Sequence, residues 1–375
     1  MSDVNDGNPL EGEIRREIES RGGPISFARY MELALYTPGL GYYERSAQQV
    51  GRSGDFYTSV SVGPVFGELL AFQFAQWLET LDPHEPAHLV EAGAHDGRLA
   101  ADLLHWLEHH RPQLWPRITL YLVEPSERRR QWQAATLAAY ANRVRWVQNL
   151  AELRATTGGV SGVFYSNELL DAFPVHRVCW RTQSGHWEEL GVGWTETGLT
   201  WQTLPERSEA IRTGLDWLQQ LPPELLSVLP EGFTTELGPA AATWWSDAAR
   251  SLRRGHLITF DYGLEAAEFL LPQRSKGTLR TYSGHRLGDD LLQRPGELDL
   301  TAHVNFSVLE DAGAQVGLTT DYRGSQRQWL TSVFAETVKR PAEFPAWDSR
   351  RVRQFQTLTH PEHLGRSFRV LVQRR

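Results

Sequence analysis

The chain has 375 residues, 41% hydrophobic and 22% charged, the composition of a folded globular protein and a length that predicts one α/β core with elaborations. Its net charge of -8 argues against a general nucleic-acid binder, which needs clustered Lys and Arg to neutralise phosphates, and suits a cationic partner better. The single cysteine, Cys179, excludes an intrachain disulfide and a cysteine-rich metal site and fits a reducing compartment.

The start, Met1 to Glu13, is acidic and lacks both an apolar signal core and an Arg-rich amphipathic pattern, so a cytoplasmic protein is expected. Ile14 and Ile18 share a helical face, and Ser26 is placed to cap a helix over Phe27 to Leu35. Pro38 to Asp55 is glycine-rich, with Tyr42, Tyr43, Gly51 and Gly54, and its lack of periodicity predicts a binding loop or lid, taken as Gly39 to Thr58. Helical spacing returns with Leu70, Phe74, Trp77 and Leu81; Leu69 to Leu78, the most apolar run, is broken by Gln73 and Gln76, so no membrane span is expected.

From His88 strands and helices alternate: strand His88 to Gly93, helix Leu99 to His109, strand Ile118 to Glu124, helix Glu127 to Tyr140, then strands Val144 to Asn149, Gly162 to Glu168 and His256 to Tyr262. Apolar strands separated by amphipathic helices predict a doubly wound, mostly parallel sheet covered on both faces. Val175 to Thr203 alternates like hairpins and Pro205 to Arg250 like helices, an insertion between the fourth and fifth strands. A helix near Phe306 to Ala312, a strand near Gln315 to Tyr322, a helix from Ser325 and a strand Phe368 to Gln373 complete seven strands with the last antiparallel. The predicted divisions are a helical region with the lid at 1–85, the first half of the core at 86–174, the insertion at 175–254, and the second half at 255–375 with a polar loop at 277–303.

Chemistry concentrates at the strand ends. Glu91-Ala92-Gly93-Ala94-His95-Asp96-Gly97 falls at the topological switch point, where ligands bind in such folds. Glycines there let the backbone approach a ligand. The run is not a dinucleotide fingerprint, because His95 stands where a middle glycine would, and it is also compatible with a plain strand-to-helix turn. Glu124 at the end of the second strand is placed to accept ribose hydroxyls, while the neighbouring Ser126 has an ordinary capping role open to it. Turn and carboxylate together favour a nucleoside ligand. The fourth strand leads into Ser166-Asn167-Glu168-Leu169-Leu170-Asp171-Ala172-Phe173-Pro174, which aims polar groups at a reacting centre. No histidine or cysteine spacing suited to a metal is present, and none is predicted.

Five ordered stretches resemble the family that contains the mitochondrial complex I assembly arginine methyltransferase and its bacterial relatives. They are Gly23-Pro24-Ile25-Ser26 with Tyr30-Met31; Gly54-Asp55-Phe56-Tyr57-Thr58-Ser59 with Phe66-Gly67-Glu68-Leu69; Asn167-Glu168 through Val175-His176; Asp261-Tyr262-Gly263; and Gly277-Thr278-Leu279-Arg280 with Asp299-Leu300-Thr301-Ala302-His303-Val304. The resemblance implies a Rossmann-like fold, S-adenosylmethionine (SAM) as cofactor, and a protein client bearing an arginine, a respiratory-complex subunit for the mitochondrial member. SAM would be held by Glu91, Gly93, His95, Gly97, Glu124, Asn167, Gly54, Phe56 and Thr58. Glu168, Asp171 and Glu236 are the candidate catalytic carboxylates, since a guanidinium is best aligned by bidentate acids; the bland role for each is a surface or capping acid. Asp261 and Tyr262 would line the same cavity. Relatives carry a further glycine at His95, whose side chain would crowd SAM or simply face solvent. Two other readings stay open, a methyltransferase for a small molecule and a non-catalytic assembly factor.

Overall fold

The computed structural model describes residues 8–44, 58–206, 209–219, 223–283, 286–288, 290–361 and 364–375. They form two compact units. Met1–Ser46, Leu170–Ala242 and Leu264–Asn305 make the first, and Ala47–Leu169, Thr243–Gly263 and Phe306–Arg375 the second.

The second unit carries seven strands: β1 (Ala87–Ala92), β2 (Ile118–Val123), β3 (Val144–Val147), β4 (Val160–Asn167), β5 (Leu252–Leu264), β6 (Thr319–Ser325) and β7 (Phe368–Arg374). They lie in the order β3-β2-β1-β4-β5-β7-β6. β1 to β5 pair in parallel, and β7 runs antiparallel to both β5 and β6. This is the doubly wound sheet with one reversed strand that the alternating pattern predicts. Its switch point lies between β1 and β4, whose neighbours run outward in opposite directions.

The helices that cover the sheet are α1 (Val65–Leu78), α2 (Arg98–His110), α3 (Glu127–Thr136), α4 (Leu150–Thr157), α5 (Pro239–Ser251), α6 (Phe306–Gln315), α7 (Gln326–Lys339) and α8 (Ser349–Thr359). Ser126, Asn149, Ser325 and Asp348 cap α3, α4, α7 and α8 by accepting backbone N–H groups. The core interleaves α1 with the strands: Phe66 meets Phe260 edge to face with ring centres 5.3 Å apart, and Phe260 meets Trp329 at 5.1 Å. Trp244 and Trp245, adjacent on α5, diverge as helix geometry requires. Trp244 is half-buried against Phe164, and Trp245 is fully buried with its Nε1 donating to Gln373 Oε1 at 2.8 Å. Sequence bounds shift by a few residues; α3 stops at Thr136 and a 3-10 turn, Ala138–Tyr140, follows where one long helix was expected.

In the first unit, Asn8 and Ser26 cap helices Pro9–Arg21 and Phe27–Tyr36, burying Ile14, Ile18, Phe27 and Met31. Strand His176–Arg181 pairs with His186–Thr195 as the expected hairpin, and on its other side with Thr234–Leu237. That last strand interrupts a stretch read as helical, because its four residues are too few to show a period. The polar loop expected at 277–303 contains strands Arg280–Ser283, Arg286–Gly288 and Asp299–Thr301 in one small antiparallel sheet. Among the described residues no helix is long and apolar enough to cross a membrane.

Trp245→Phe keeps the ring packing but strands the buried Gln373 amide oxygen, and is expected to lower unfolding free energy by about 2 kcal/mol. Urea melts of the two proteins check this.

Candidate functional site

At the end of β1 the chain makes a tight turn, with Gly97 N–H donating to Ala94 O at 2.7 Å. Gly93 has φ +77°, and a Cβ there would lie 2.9 Å from Leu169 Cδ1 and 3.2 Å from its Cβ, so any side chain would be strained and would push on Leu169. His95 has φ +46°, the left-handed backbone that a glycine would take. Its side chain is partly exposed and lies 3.8 Å from Asp96 and near Trp132. The imidazole is therefore carried on a backbone of the kind that glycine adopts.

Glu124 follows β2 and is buried. Its Oε1 accepts from Ser126 N–H at 3.0 Å, and its Oε2 accepts from Gln133 Nε2 at 3.1 Å. Gln133 is fully buried on α3; the same Nε2 also donates to His95 O at 3.1 Å, while Trp146 Nε1 donates to Gln133 Oε1 at 2.9 Å. One amide thus ties the glycine turn to the Glu124 carboxylate. Sequence reasoning missed Gln133, and its only signal is a polar residue one turn before Leu137 on the buried side of α3.

Beyond β4, Glu168 is half-buried with φ +51°. Its N–H donates to Phe260 O at 2.9 Å, and the next N–H, of Leu169, donates to Asp261 Oδ2 at 3.1 Å. The fully buried Asp261 also accepts from Tyr262 N–H through Oδ1; it shapes the chain that presents Glu168. Glu168 Oε1 accepts from Asn167 Nδ2 at 2.9 Å and from Ser59 N–H at 3.3 Å. Asn167 Oδ1 is buried and has no hydrogen-bond partner among the described residues. Thr58 and Ser61 close the neighbouring turn through reciprocal hydrogen bonds. Gly54, Phe56 and most of the expected lid lie outside the described residues.

Glu91 sits beneath the turn, with Oε2 accepting from the Tyr165 hydroxyl at 3.0 Å. Burial pushes its carboxyl up to about 8, against the smaller opposing effect of the Tyr165 bond.

Glu236 and Asp171 belong to the first unit. Glu236 Oε2 accepts from Thr278 N–H at 2.7 Å and its hydroxyl at 2.9 Å, and that hydroxyl in turn accepts from His303 N–H at 3.1 Å. A Cβ at Gly277 would lie 1.9 Å from Glu236 Oε1. Burial raises the Glu236 carboxyl and lowers the His303 imidazole to about 4. The Gly277-Thr278 and His303 motifs are therefore the seat of Glu236. Asp171 is buried, and its carbonyl accepts from Ala302 N–H at 2.9 Å.

The family described as S-adenosyl-L-methionine-dependent methyltransferase matches residues 69–323. The chain belongs to this family. A crystal structure of a Burkholderia thailandensis protein bound to S-adenosyl-homocysteine is 33% identical, with TM-score 0.81 over 98% of this chain and 92% of that one. Protein arginine methyltransferase NDUFAF7, mitochondrial, of Danio rerio is 28% identical over 92% of this chain and 82% of that protein; the Mus musculus protein of the same name is 26% identical over 98% and 84%. The enzyme is a SAM-dependent methyltransferase. The cytoplasmic expectation is overturned, since these relatives are named mitochondrial; one cysteine reports on thiol chemistry, which several reducing compartments share.

The second unit's residues fit SAM. A buried carboxylate at β2, an amide oxygen at β4 with no partner among the described residues and a turn with no side chain at Gly93 offer acceptors and space to a ligand rich in hydroxyl, ammonium and sulfonium groups.

The raised Glu91 carboxyl has a consequence for stability. A folded value above the unfolded one favours folding while the group is protonated, so that contribution is complete below about pH 4.5 and is lost as pH rises to about 8. Glu91→Gln keeps an acceptor for Tyr165 without the titration. Its melting temperature relative to wild type is expected to be higher at pH 8.5 than at pH 5, which scanning calorimetry at the two pH values reads directly.

Proposed function

We propose that this methyltransferase modifies an arginine side chain of a protein client, and that Glu168 is the acid that holds the guanidinium. The observation that carries this reading is the backbone at Glu168. A non-glycine residue in the left-handed region costs of order 1 kcal/mol and persists where the surroundings enforce it, which is common at functional sites. Here the enforcing groups are Phe260 O and Asp261, and the effect is to turn a carboxylate back across the end of β4. The likeness to proteins named arginine methyltransferases supports the choice of acceptor, and following the family resemblance we take the client to be a respiratory-complex subunit.

SAM supplies an electrophilic methyl group on a sulfonium, which leaves with the C–S electron pair to give S-adenosylhomocysteine. The chain's own task is to align the acceptor nitrogen and exclude water. Asn167 Nδ2 and Ser59 N–H hold the Glu168 carboxylate through Oε1, and that carboxylate meets the guanidinium as its counter-charge. That grip turns one nitrogen toward the methyl carbon and favours the proton's departure to the carboxylate or to water as the N–C bond forms. Glu124 and the Gly93 turn hold the cofactor side, with Gln133 keeping them in register.

Glu124→Ala removes ribose acceptors and is expected to weaken SAM binding by about 5- to 150-fold, a loss of roughly 1–3 kcal/mol; calorimetric titration of the folded variant showing unchanged affinity would remove Glu124 from the cofactor site. Glu168→Gln keeps shape but not charge. It should leave SAM affinity nearly intact while slowing methyl transfer to protein about a hundredfold, and normal transfer by that variant would make Glu168 structural. A survey of methylarginine in cells with and without the gene tests the acceptor itself: if it finds no difference while purified enzyme binds SAM, the arginine reading falls and a small-molecule acceptor replaces it.

A further inference from the structure

The turn that touches Glu168 has a second face. Ser61, Val62 and Gly63, together with Arg350, Arg353, Gln354 and Thr357, line an open groove of about 490 Å³. The four α8 residues follow an i, i+3, i+4, i+7 spacing, so they form one stripe of the helix. The other side of α8 is its anchor: Phe355 stacks on Phe334 with ring centres 4.6 Å apart, Leu358 is fully buried, and Arg351 pairs with Glu68.

The groove is stapled rather than incidental. Gln326 is fully buried; its Oε1 accepts from Ser59 Oγ at 3.3 Å, and its Nε2 donates to Leu358 O at 3.1 Å. One amide thereby joins the turn to α8. The two exposed guanidinium groups, Arg350 and Arg353, have no ion pair among the described residues. Two acids beside this stripe are engaged elsewhere: Asp348 caps α8 through the Arg350 and Arg351 N–H groups while still attracting the Arg350 charge, and Glu68 is held by Arg351. No lining residue is acidic. Two guanidinium groups with no ion pair among the described residues, on a groove whose lining holds no carboxylate, are a seat for anions.

The position of the groove sets what that anion belongs to. Ser59 N–H is on Glu168, and the groove begins at Ser61, so two to four chain steps separate them. At no more than about 3.6 Å per residue these place the near wall of the groove, which the two arginines face, within roughly 7–14 Å of Ser59. An extended peptide covers that distance in about two to five residues. We propose that this groove binds an aspartate or glutamate side chain of the protein client lying about two to five residues from the arginine that is methylated. This rests on the arginine reading of the Glu168 site. It gives the enzyme a means of choosing among arginines, with Glu168 taking the cation and Arg350 and Arg353 the flanking anion.

The test uses a fluorescent peptide with one central arginine and Asp or Glu two to five residues away, its twin with Asn and Gln instead, and the full-length enzyme with S-adenosylhomocysteine present. Wild type is expected to bind the acidic peptide about tenfold more tightly than the twin at low salt. R350E/R353E should abolish that preference and leave SAM affinity and melting temperature unchanged. In turnover assays the variant's KM for the acidic peptide should rise about tenfold, with kcat unchanged and the twin unaffected. Equal binding of the two peptides by wild type, or a preference that survives in R350E/R353E, overturns the proposal. So does displacement of the acidic peptide by a single-stranded oligonucleotide at lower concentration than by unlabelled peptide, which would assign the groove to nucleic acid. If the acidic peptide is preferred through these arginines yet never methylated, the groove stands and the arginine reading falls.

Discussion

A single buried amide, Gln133, holds the proposed cofactor end of the second unit together. Its nitrogen reaches both the carbonyl of His95 and the carboxylate of Glu124, so the turn after β1 and the acid after β2 cannot move independently. Buried polar groups that are fully partnered rigidify their surroundings, because any displacement leaves a donor or acceptor unpaired away from water. Trp146 completes the amide from the other side. A parallel sheet delivers strand ends to one edge as a matter of topology; this network sets how the groups at that edge face one another.

The same logic recurs at β4. Glu168 does not adopt its unfavourable backbone alone: Phe260 O and the Asp261 carboxylate take the N–H groups of residues 168 and 169. The Asp261-Tyr262 motif therefore acts one strand away from where its sequence position suggests, as support for Glu168. In the first unit, Thr278 plays the corresponding part for Glu236, with its backbone and hydroxyl on one carboxylate oxygen. A motif that reads as chemistry in the sequence is in each case divided between a carboxylate and the groups that hold it.

His95 shows how a departure from a pattern can be absorbed. The left-handed backbone that favours glycine is retained at a cost of order 1 kcal/mol, and the imidazole goes to the Asp96 and Trp132 side. The hydrogen bond from Gln133 to the His95 carbonyl helps to hold that conformation. Gly93 has less latitude, because a Cβ there would press on the side chain of Leu169.

The order of the sheet's strands, the switch point, and the residues at the ends of β1, β2 and β4 were legible in the sequence, since apolar periodicity and turn chemistry are local properties of neighbouring residues, whereas helices α4 and α8 were not read. The caps at Ser26 and Ser126 and the buried pair Ile14 and Ile18 were legible too. Short elements escaped: a four-residue strand such as Thr234–Leu237 carries too few residues to display a period, and it exists because His176–Arg181 offers it an edge. The partners of the candidate carboxylates escaped too, because Gln133, Ser59, Tyr165 and Gln326 are unremarkable polar residues until folding buries them beside a particular acid. Which residues could carry charge was a matter of composition; which of those charges are compensated, strained or left open to a ligand was decided by tertiary structure, because desolvation and hydrogen bonding depend on neighbours that the chain brings from far along its length.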